Sequence, residues 1–269
     1  GALLARAPMD LRINRAKTDR ENVLRELPNA QPIAGLADAV RLSENMRIDD
    51  QPAWIEGRIE VQDAGSQWVA AACAVLPGMT VVDLCAGAGG KTLALAADMG
   101  GTGRLVACDT NRDRLQRMTP RAERAGVSSV EARLLNPGQE LSQLADLEGQ
   151  ADLVLIDAPC SGSGTLRRNP EARWRLTPDR LNRLTDLQAH VLALGARLVK
   201  PGGTLVYAVC SLIAAEGTEQ IAAFLEKEND WLAEDLDSLP GRQEGAGRRL
   251  SPAHDGTDGF FIARLTRRC

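Results

Sequence analysis

Between residues 80 and 228, short apolar segments alternate with segments of helical periodicity, and this alternation restricts the fold more than any other feature. An apolar segment without polar alternation is typical of a strand that is covered on both faces. Strands that alternate with helices predict a parallel, doubly wound α/β sheet. The predicted strands are Thr80–Leu84, Arg104–Cys108, Val130–Leu134, Asp152–Asp157 and Gly203–Val209.

Helices are predicted where apolar residues recur at helical spacing between or beside these strands. They are Ala64–Leu76, Lys91–Met99, Arg112–Ala125, Thr177–Val199 and Glu216–Glu228. After a loop-rich stretch from Pro240 to Asp258, the segment Gly259–Leu265 is predicted to be an antiparallel edge strand.

The start of the chain has a different pattern and predicts a small α+β subdomain over residues 1–52. Met9–Asn14 alternates like a strand, and Thr18 with Glu21 resembles a capping box that opens a helix. Residues 53–269 are then predicted to form the α/β domain.

The composition argues against several classes of protein. No apolar run approaches the roughly 18–20 residues that a membrane helix needs. The six cysteines include no CxxC pair and the chain has two histidines, so neither a zinc site nor any other metal is expected. Cysteines placed in strand and helix patterns predict a reduced, cytoplasmic protein.

The net charge is −4, but residues 1–25 and 167–183 are locally basic and predict contact with phosphate.

A glycine-rich turn, Cys85–Lys91, joins a predicted strand to a predicted helix. Glycines let a ligand approach the backbone, and the following helix amino end attracts negative charge. The spacing fits neither a Walker A loop nor a GxGxxG fingerprint. Asp109, at the end of the next strand, is suited to the hydroxyls of a ribose. These features leave both a nicotinamide cofactor and S-adenosylmethionine open.

Cys160 and Cys210 follow two neighbouring strands and are predicted to meet at the rim where the glycine turn opens. Lys91 and nearby arginines would favour a thiolate. A thiolate that adds to C6 of cytosine makes C5 nucleophilic toward a methyl donor. Asp157 could then hold the N3/N4 edge of the ring.

Several segments resemble the NOL1/NOP2/Sun (RsmB-like) family of RNA 5-methylcytosine methyltransferases. They are Leu11–Lys17, Glu60–Gln67, Asp83–Thr92, Asp157–Arg168, Lys200–Ser211 and Asp258–Arg264. The resemblance implies a Rossmann-like fold and S-adenosylmethionine as cofactor, with Cys210 as the nucleophile and Cys160 assisting product release. Asp157 and Lys91 would complete the catalytic set.

The resemblance also assigns binding residues. The cofactor would contact Cys85, Ala86, Gly87, Ala88, Gly89, Gly90, Lys91, Asp109, Asn136 and Asp157. RNA is expected to contact Arg12, Asn14 and Lys17, in the segment that resembles the family's RNA-side element. The basic stretch 167–183 adds Arg167, Arg168 and Arg173 as expected phosphate contacts. Two positions depart from the family pattern: Val209 stands where threonine is frequent, and Asn136 stands where aspartate is usual.

The expected substrate is ribosomal RNA ahead of transfer RNA, and the expected state is a monomer. Two other functions stay open on sequence: a noncatalytic RNA-binding protein on a methyltransferase scaffold, and a nicotinamide-dependent oxidoreductase. The oxidoreductase is disfavoured because His190 lies in a predicted helix without an evident acid or base partner.

Overall fold

The computed structural model describes residues 2–44 and 46–269, which form two sheets. The smaller sheet is antiparallel, with the order β2-β3-β1-β4. Its strands are β1 (Met9–Ile13), β2 (Ala30–Pro32), β3 (Ala39–Leu42) and β4 (Ile59–Val61). Helices α1 (Arg20–Glu26) and α2 (Pro52–Ile55) accompany it. The small sheet thus includes β4, which lies beyond the domain boundary predicted after residue 52. The division into two domains stays a prediction.

The apolar residues of β1 explain its place at the centre of this small core. Leu11 and Ile13 are buried beside Val23 of α1 and Ile59 of β4. The predicted capping box is wrong by one residue, because α1 begins at Arg20. The extended residue before it is Asp19, whose carboxylate accepts a hydrogen bond from Asn22 N at 2.8 Å.

The larger sheet has five parallel strands and confirms the predicted fold class. The parallel strands stand in the order β9-β8-β5-β6-β7. Their bounds are β5 (Thr80–Asp83), β6 (Arg104–Asp109), β7 (Val130–Leu134), β8 (Ala151–Asp157) and β9 (Val199–Val209). Antiparallel strands extend the sheet beyond β9: β10 (Trp231–Ala233), β11 (Arg242–Glu244), β12 (Gly247–Leu250) and β13 (Phe260–Arg267).

The antiparallel end is therefore broader than the single edge strand that the sequence predicts. β13 pairs with β9 on one side and with β12 on the other. The stretch from Pro240 to Asp258 is not only loop, since β11 and β12 form a hairpin within it. Short polar strands such as β11 lack the apolar run by which the buried strands are recognised.

Helices cover the larger sheet. They are α3 (Ala64–Cys73), α4 (Gly90–Asp98), α5 (Arg112–Gln116), α6 (Met118–Ala125), α7 (Glu140–Gln143), α8 (Pro178–Leu198) and α9 (Thr218–Lys227). The continuous helix predicted over Arg112–Ala125 is wrong, because it is interrupted at Arg117. Pro120 has no N–H to bond the carbonyl of Gln116, which accounts for the interruption. In the described ranges, no helix is long and apolar enough to cross a membrane.

Both faces of the parallel strands are buried, which explains their lack of polar alternation. Val82 and Val154 pack into the core on one face, and Val81 and Leu155 pack on the other.

The chain winds from β5 toward β6 and later from β8 toward β9, so the winding direction reverses between β5 and β8. Ligands bind to such sheets beyond the carboxyl ends of the strands at this reversal.

Candidate active site

The glycine turn after β5 has a backbone that demands glycine at two positions. Gly87 and Gly89 have φ angles of 56° and 79°. A Cβ atom on Gly89 would also lie 2.3 Å from Cγ of Met118. Gly89 caps the amino end of α4, so the turn presents backbone N–H groups and the positive end of the helix. This geometry fits the predicted ligand cradle.

Asp109 at the end of β6 braces the same turn. Its carboxylate accepts hydrogen bonds from Gly87 N at 2.8 Å and from Asn111 N at 2.7 Å. The residue is 7% exposed. Asp109 therefore has a structural role as well as the predicted contact with a ribose, which stays a prediction.

Two adjoining cavities follow the carboxyl ends of the parallel strands. The larger, about 520 Å³, extends from Asp109 to Cys160 and Cys210. The smaller, about 290 Å³, follows the glycine turn. Residues predicted to bind the cofactor line one or both cavities: Cys85, Ala86, Gly87, Ala88, Gly90, Lys91, Asp109 and Asp157. A volume of this size is ordinary for a small-molecule site.

Asn136 does not belong to the lining of either cavity. It is exposed, and its backbone N–H donates to Oε1 of Gln143 at 2.7 Å. Leu135 and Glu140 line the larger cavity at this point. Binding of the cofactor by Asn136 stays a prediction.

Sequence reasoning missed several lining residues. They include Asn111, Arg114, Leu135, Glu140 and Arg180. Leu135 comes directly after a predicted strand and Asn111 lies three residues after one, so the rule that ligands bind at strand ends could have found them. Arg114 and Arg180 reach the cavity from helices, and their position depends on tertiary packing.

Cys160 and Cys210 meet as predicted. β8 and β9 are adjacent and parallel, with Asp157 opposite Ala208, and the two Sγ atoms lie 3.3 Å apart. The hydrogen bond to Cys210 and burial raise the pKa of the Cys160 thiol well above its ordinary value. Cys160 is therefore held in its protonated form beside its neighbour.

Lys91 and Asp157 form an ion pair at this rim, with Nζ 2.6 Å from Oδ2. Burial lowers the pKa of Lys91, but the charge and hydrogen bond of Asp157 raise it by more, so the net shift is upward. Cys210 also acts on the lysine electrostatically in the same direction. Lys91 thus supplies a fixed positive charge close to the thiol pair.

Asp83, at the end of β5, is a buried carboxyl group beneath the smaller cavity. It accepts a hydrogen bond from Thr92 Oγ1 at 2.7 Å. In the described part of the chain its Oδ1 atom has no hydrogen-bond partner. Burial raises the pKa of Asp83 to about 7, although the Thr92 bond acts in the opposite direction. Asp83 therefore changes charge near neutral pH.

The amino-terminal residues predicted to bind RNA make internal contacts. Arg12 is 7% exposed, and its Nε donates to Gln62 Oε1 at 2.7 Å. Asn14 is 4% exposed and donates to the carbonyls of Gly57 and Ala125. Lys17 is exposed, and its Nζ donates to the carbonyl of Glu56, directly after α2, and to the carbonyl of Arg124 in α6. These contacts join the small sheet to the α/β domain, and RNA binding by these residues stays a prediction.

Arg167 and Arg168 are tied to acidic residues. Both contact Asp258, at 2.6 Å each, and both contact Asp63. The Arg167 side chain is only 5% exposed. Arg173, by contrast, is exposed, and its guanidinium lies 4.7 Å from the ring centroid of Trp174. All three RNA contacts stay predictions, and Arg173 is the one with a side chain open to solvent.

The comparisons with known proteins agree with this geometry. A model of the family described as 16S rRNA methyltransferase RsmB/F matches residues 71–266. The "Probable ribosomal RNA small subunit methyltransferase B" of Synechocystis sp. is 39% identical over 272 residues, covering 96% of this chain and 60% of that protein.

The chain belongs to the RsmB/F family.

Two solved structures show the same fold. A methyltransferase homolog protein from Pyrococcus horikoshii has a TM-score of 0.85 and 29% identity, with 99% of this chain and 88% of that chain covered. NSun6 from Pyrococcus horikoshii, solved with SFG, has a TM-score of 0.88 and 18% identity, with 99% and 92% covered. The chain spans about 60% of the length of the curated relatives it matches.

Membership of the RsmB/F family confirms the resemblance drawn from the sequence motifs. S-adenosylmethionine is the cofactor of this methyltransferase fold, so the predicted cofactor is confirmed as well. The glycine cradle and the adjoining cavity, described above, fit a nucleoside cofactor of that size. Within the described ranges, no three His, Cys, Asp or Glu side chains are grouped to hold a metal ion.

Proposed function

We propose that this chain transfers a methyl group from S-adenosylmethionine to C5 of a cytosine in ribosomal RNA. The observation that carries the proposal is the contact between the Cys160 and Cys210 thiols inside the cavity that also reaches Asp109. A methyltransferase acting on an oxygen or an exocyclic nitrogen has no use for a thiol pair, whereas C5 of cytosine must first be activated by a nucleophile.

The glycine turn and Asp109 would hold the cofactor. Backbone N–H groups at the amino end of α4 suit its carboxylate, and Asp109 suits its ribose hydroxyls. The bound cofactor supplies an electrophilic methyl group. Leu135 and the other apolar lining of the larger cavity would exclude water from the adenine side.

Cys210 would be the nucleophile. Its Sγ forms a bond to C6 of the flipped-out cytosine, and the electron pair of the C5–C6 double bond becomes available at C5. Lys91 stabilises the thiolate electrostatically. Asp157, which lines both cavities and is held by Lys91, would accept a hydrogen bond from the exocyclic N4 amino group of the ring.

Cys160 would act after methyl transfer. While Cys210 is a thiolate, its charge and hydrogen bond keep the proton on Cys160. Once Cys210 is a thioether to C6, that charge is gone and the pKa of Cys160 falls, although burial still raises it; its proton passes to solvent when Cys160 becomes the base. The Cys160 thiolate then takes the C5 proton, the C5–C6 double bond forms again, and the electron pair of the broken C6–S bond returns to Cys210.

Ribosomal RNA is the proposed substrate because the curated relatives carry that activity in their names. The target cytosine must lie in a single-stranded or opened region, since C6 is inaccessible in a stacked helix. All six cysteines are free thiols, which supports a reducing compartment, and we propose the cytoplasm. The monomeric state stays a prediction.

The test uses labelled S-adenosylmethionine and small-subunit ribosomal RNA, with bisulfite sequencing to locate the methylated base. Cys210→Ala should abolish transfer, and Cys160→Ala should accumulate a covalent protein–RNA adduct. Cys269→Ala, at the exposed last residue, is the matched control and should behave as wild type. An adduct that requires Cys160 but not Cys210 would reverse the two roles. Absence of transfer by wild type on ribosomal and transfer RNA would favour a noncatalytic RNA-binding protein.

A further inference from the structure

A single buried carboxylate connects the two segments that carry the thiols. Each cysteine is followed by a serine, and both serine hydroxyls, of Ser161 and Ser211, donate to Oε2 of Glu216 at 2.5 Å. The backbone N–H of Ser161 donates to Oε1 at 2.7 Å. Glu216 lies at the end of a short 3₁₀ turn and is 0% exposed. It belongs to none of the roles derived above.

Further contacts fix the segments on the other side of each thiol. Gln188 of α8 donates through the same amide nitrogen to Glu216 Oε1 at 3.2 Å and to the carbonyl of Pro159 at 2.9 Å. The Tyr207 hydroxyl donates to the carbonyl oxygen of Glu216 at 2.7 Å. Pro159 precedes Cys160, and Tyr207 lies three residues before Cys210. Glu216 is thus linked to both flanks of the thiol pair.

The carboxylate also sets the direction of the neighbouring hydroxyl groups, because an ionised carboxylate only accepts hydrogen bonds. Ser211 Oγ donates to Glu216 and therefore accepts from Ile213 N at 3.1 Å and from Ser163 Oγ at 2.9 Å. Ser163 Oγ in turn accepts from Leu212 N at 2.9 Å. A hydroxyl has one donor and two acceptor positions, so those of Ser211 are fully used.

A glutamine at position 216 could not replace these bonds. The amide oxygen of the glutamine could accept from the Ser161 N–H and from Gln188. Its amide nitrogen would then face the Ser161 and Ser211 hydroxyls, and this nitrogen can only donate. Ser211 could accept from it only if its bond with Ser163 were reversed, so that the hydroxyls of Ser161 and Ser163 would both lose the acceptors they have now. The segments after Cys160 and Cys210 would have to move or leave polar groups unpaired.

We infer that Glu216 is a positioning residue that holds the Cys160 and Cys210 thiols in contact. That Glu216 holds the two thiols in contact follows from the hydrogen bonds alone. Its effect on methyl transfer rests on the proposed function. Glu216 contacts neither thiol and sets their separation through the two serines, and its charge also helps to raise the pKa of Cys160.

The test measures how readily the two thiols combine, without substrate. In glutathione buffers, the Cys160 and Cys210 thiols form a disulfide as oxidised glutathione is reduced to two thiols, and peptide mass spectrometry gives the equilibrium constant. Glu216→Gln should lower this constant at least about tenfold, because an unpaired buried group disfavours the arrangement. The exposed Glu219→Gln is the matched control and should keep the wild-type value. A wild-type constant in Glu216→Gln would overturn the inference.

Ser211→Ala is a second variant if Glu216→Gln does not fold. It leaves the carboxylate in place and removes one of its hydroxyl donors, so the equilibrium constant should fall at least about threefold. A constant equal to wild type in a folded Ser211→Ala protein would again contradict the positioning role.

Kinetics separate this inference from the proposed function. Glu216→Gln should lower kcat and slow adduct resolution while KM for RNA stays within about twofold of wild type. If wild type transfers no methyl group but the disulfide constant still depends on Glu216, the proposed function fails and the positioning role stands. If transfer is intact and the disulfide constant does not depend on Glu216, the positioning role alone fails.

Discussion

Arg167 and Arg173 lie six residues apart in one basic segment, yet the fold gives them opposite surroundings. Arg167 is 5% exposed and lies between Asp63 and Asp258. Arg173 is exposed beside Trp174, whose side chain is 76% exposed. The charge of Arg167 joins the loop before β13 to the segment after Cys160, while the side chain of Arg173 is open to solvent. A basic stretch in a sequence does not show which of its charges are free.

The largest expected effect is on stability. Arg167→Ala should lower the free energy of unfolding by about 3 kcal/mol, because Asp63 and Asp258 lose the more buried of the two arginines that pair with them. Arg173→Ala should change it by no more than about 0.5 kcal/mol. Urea denaturation of both variants measures the difference. Equal stability of the two would show that the burial of Arg167 has no energetic consequence.

A second prediction concerns Asp83. Asp63 and Asp258 are paired with arginines, whereas Asp83 has no cation in hydrogen-bond contact within the described ranges. The pKa of Asp83 in the folded protein is raised to about 7, so the native state keeps a proton that the unfolded chain releases near pH 4. Wild-type stability should therefore fall as the pH rises from about 4 to about 7. The shift corresponds to at most about 4 kcal/mol.

Asp83→Asn removes this titration, so the variant should gain stability relative to wild type across that pH range. Thermal unfolding at several pH values, without cofactor, checks the sign. Asp113→Asn, at an exposed position of α5, is the control and should follow wild type. A difference between Asp83→Asn and wild type that does not change with pH would contradict the raised pKa.

The third prediction concerns the exposed half of the basic segment. Trp174→Ala should weaken binding of single-stranded RNA by about 1–3 kcal/mol if a base stacks on the indole. The unfolding free energy should change little, since the side chain is 76% exposed. Fluorescence anisotropy with labelled RNA measures the affinity. Leu176→Ala, at a neighbouring exposed apolar residue, is the control; an equal loss there would argue against stacking.

The smallest effect separates two arginines by the salt dependence of RNA binding. Arg173→Gln should reduce the slope of log affinity against log salt by about 0.7, the value for one contact with single-stranded RNA. Arg168→Gln should leave the slope unchanged, because Asp63 and Asp258 already neutralise that charge. A lower slope for Arg168→Gln would show that this arginine also contacts phosphate.

Much of the site could be predicted because its residues follow strands that are recognisable in the sequence. Cys85, Asp109, Asp157, Cys160 and Cys210 all line the larger cavity. The winding of a parallel sheet places such residues at one rim, whatever the loops do. The prediction for Asn136 has less support. Leu135, one residue earlier at the strand end, lines the larger cavity, and Asn136 does not.

The errors in the fold prediction are local. Asp19 rather than Thr18 caps α1, and Pro120 interrupts a helix whose apolar periodicity continues across it. The hairpin of β11 and β12 was missed because its strands are short and polar. They are stabilised by pairing, β11 with β12 and β12 with β13, rather than by their own composition.

The sequence by itself determined the parallel sheet, the glycine turn and the identity of the two cysteines, because these depend on periodicity and on residue type. Only the tertiary structure decided that the thiols lie 3.3 Å apart, that Glu216 holds both of their segments, and that Arg167 is enclosed while Arg173 is open. The physical reason is that distance and burial arise from contacts between residues far apart in the chain, and no local pattern records them.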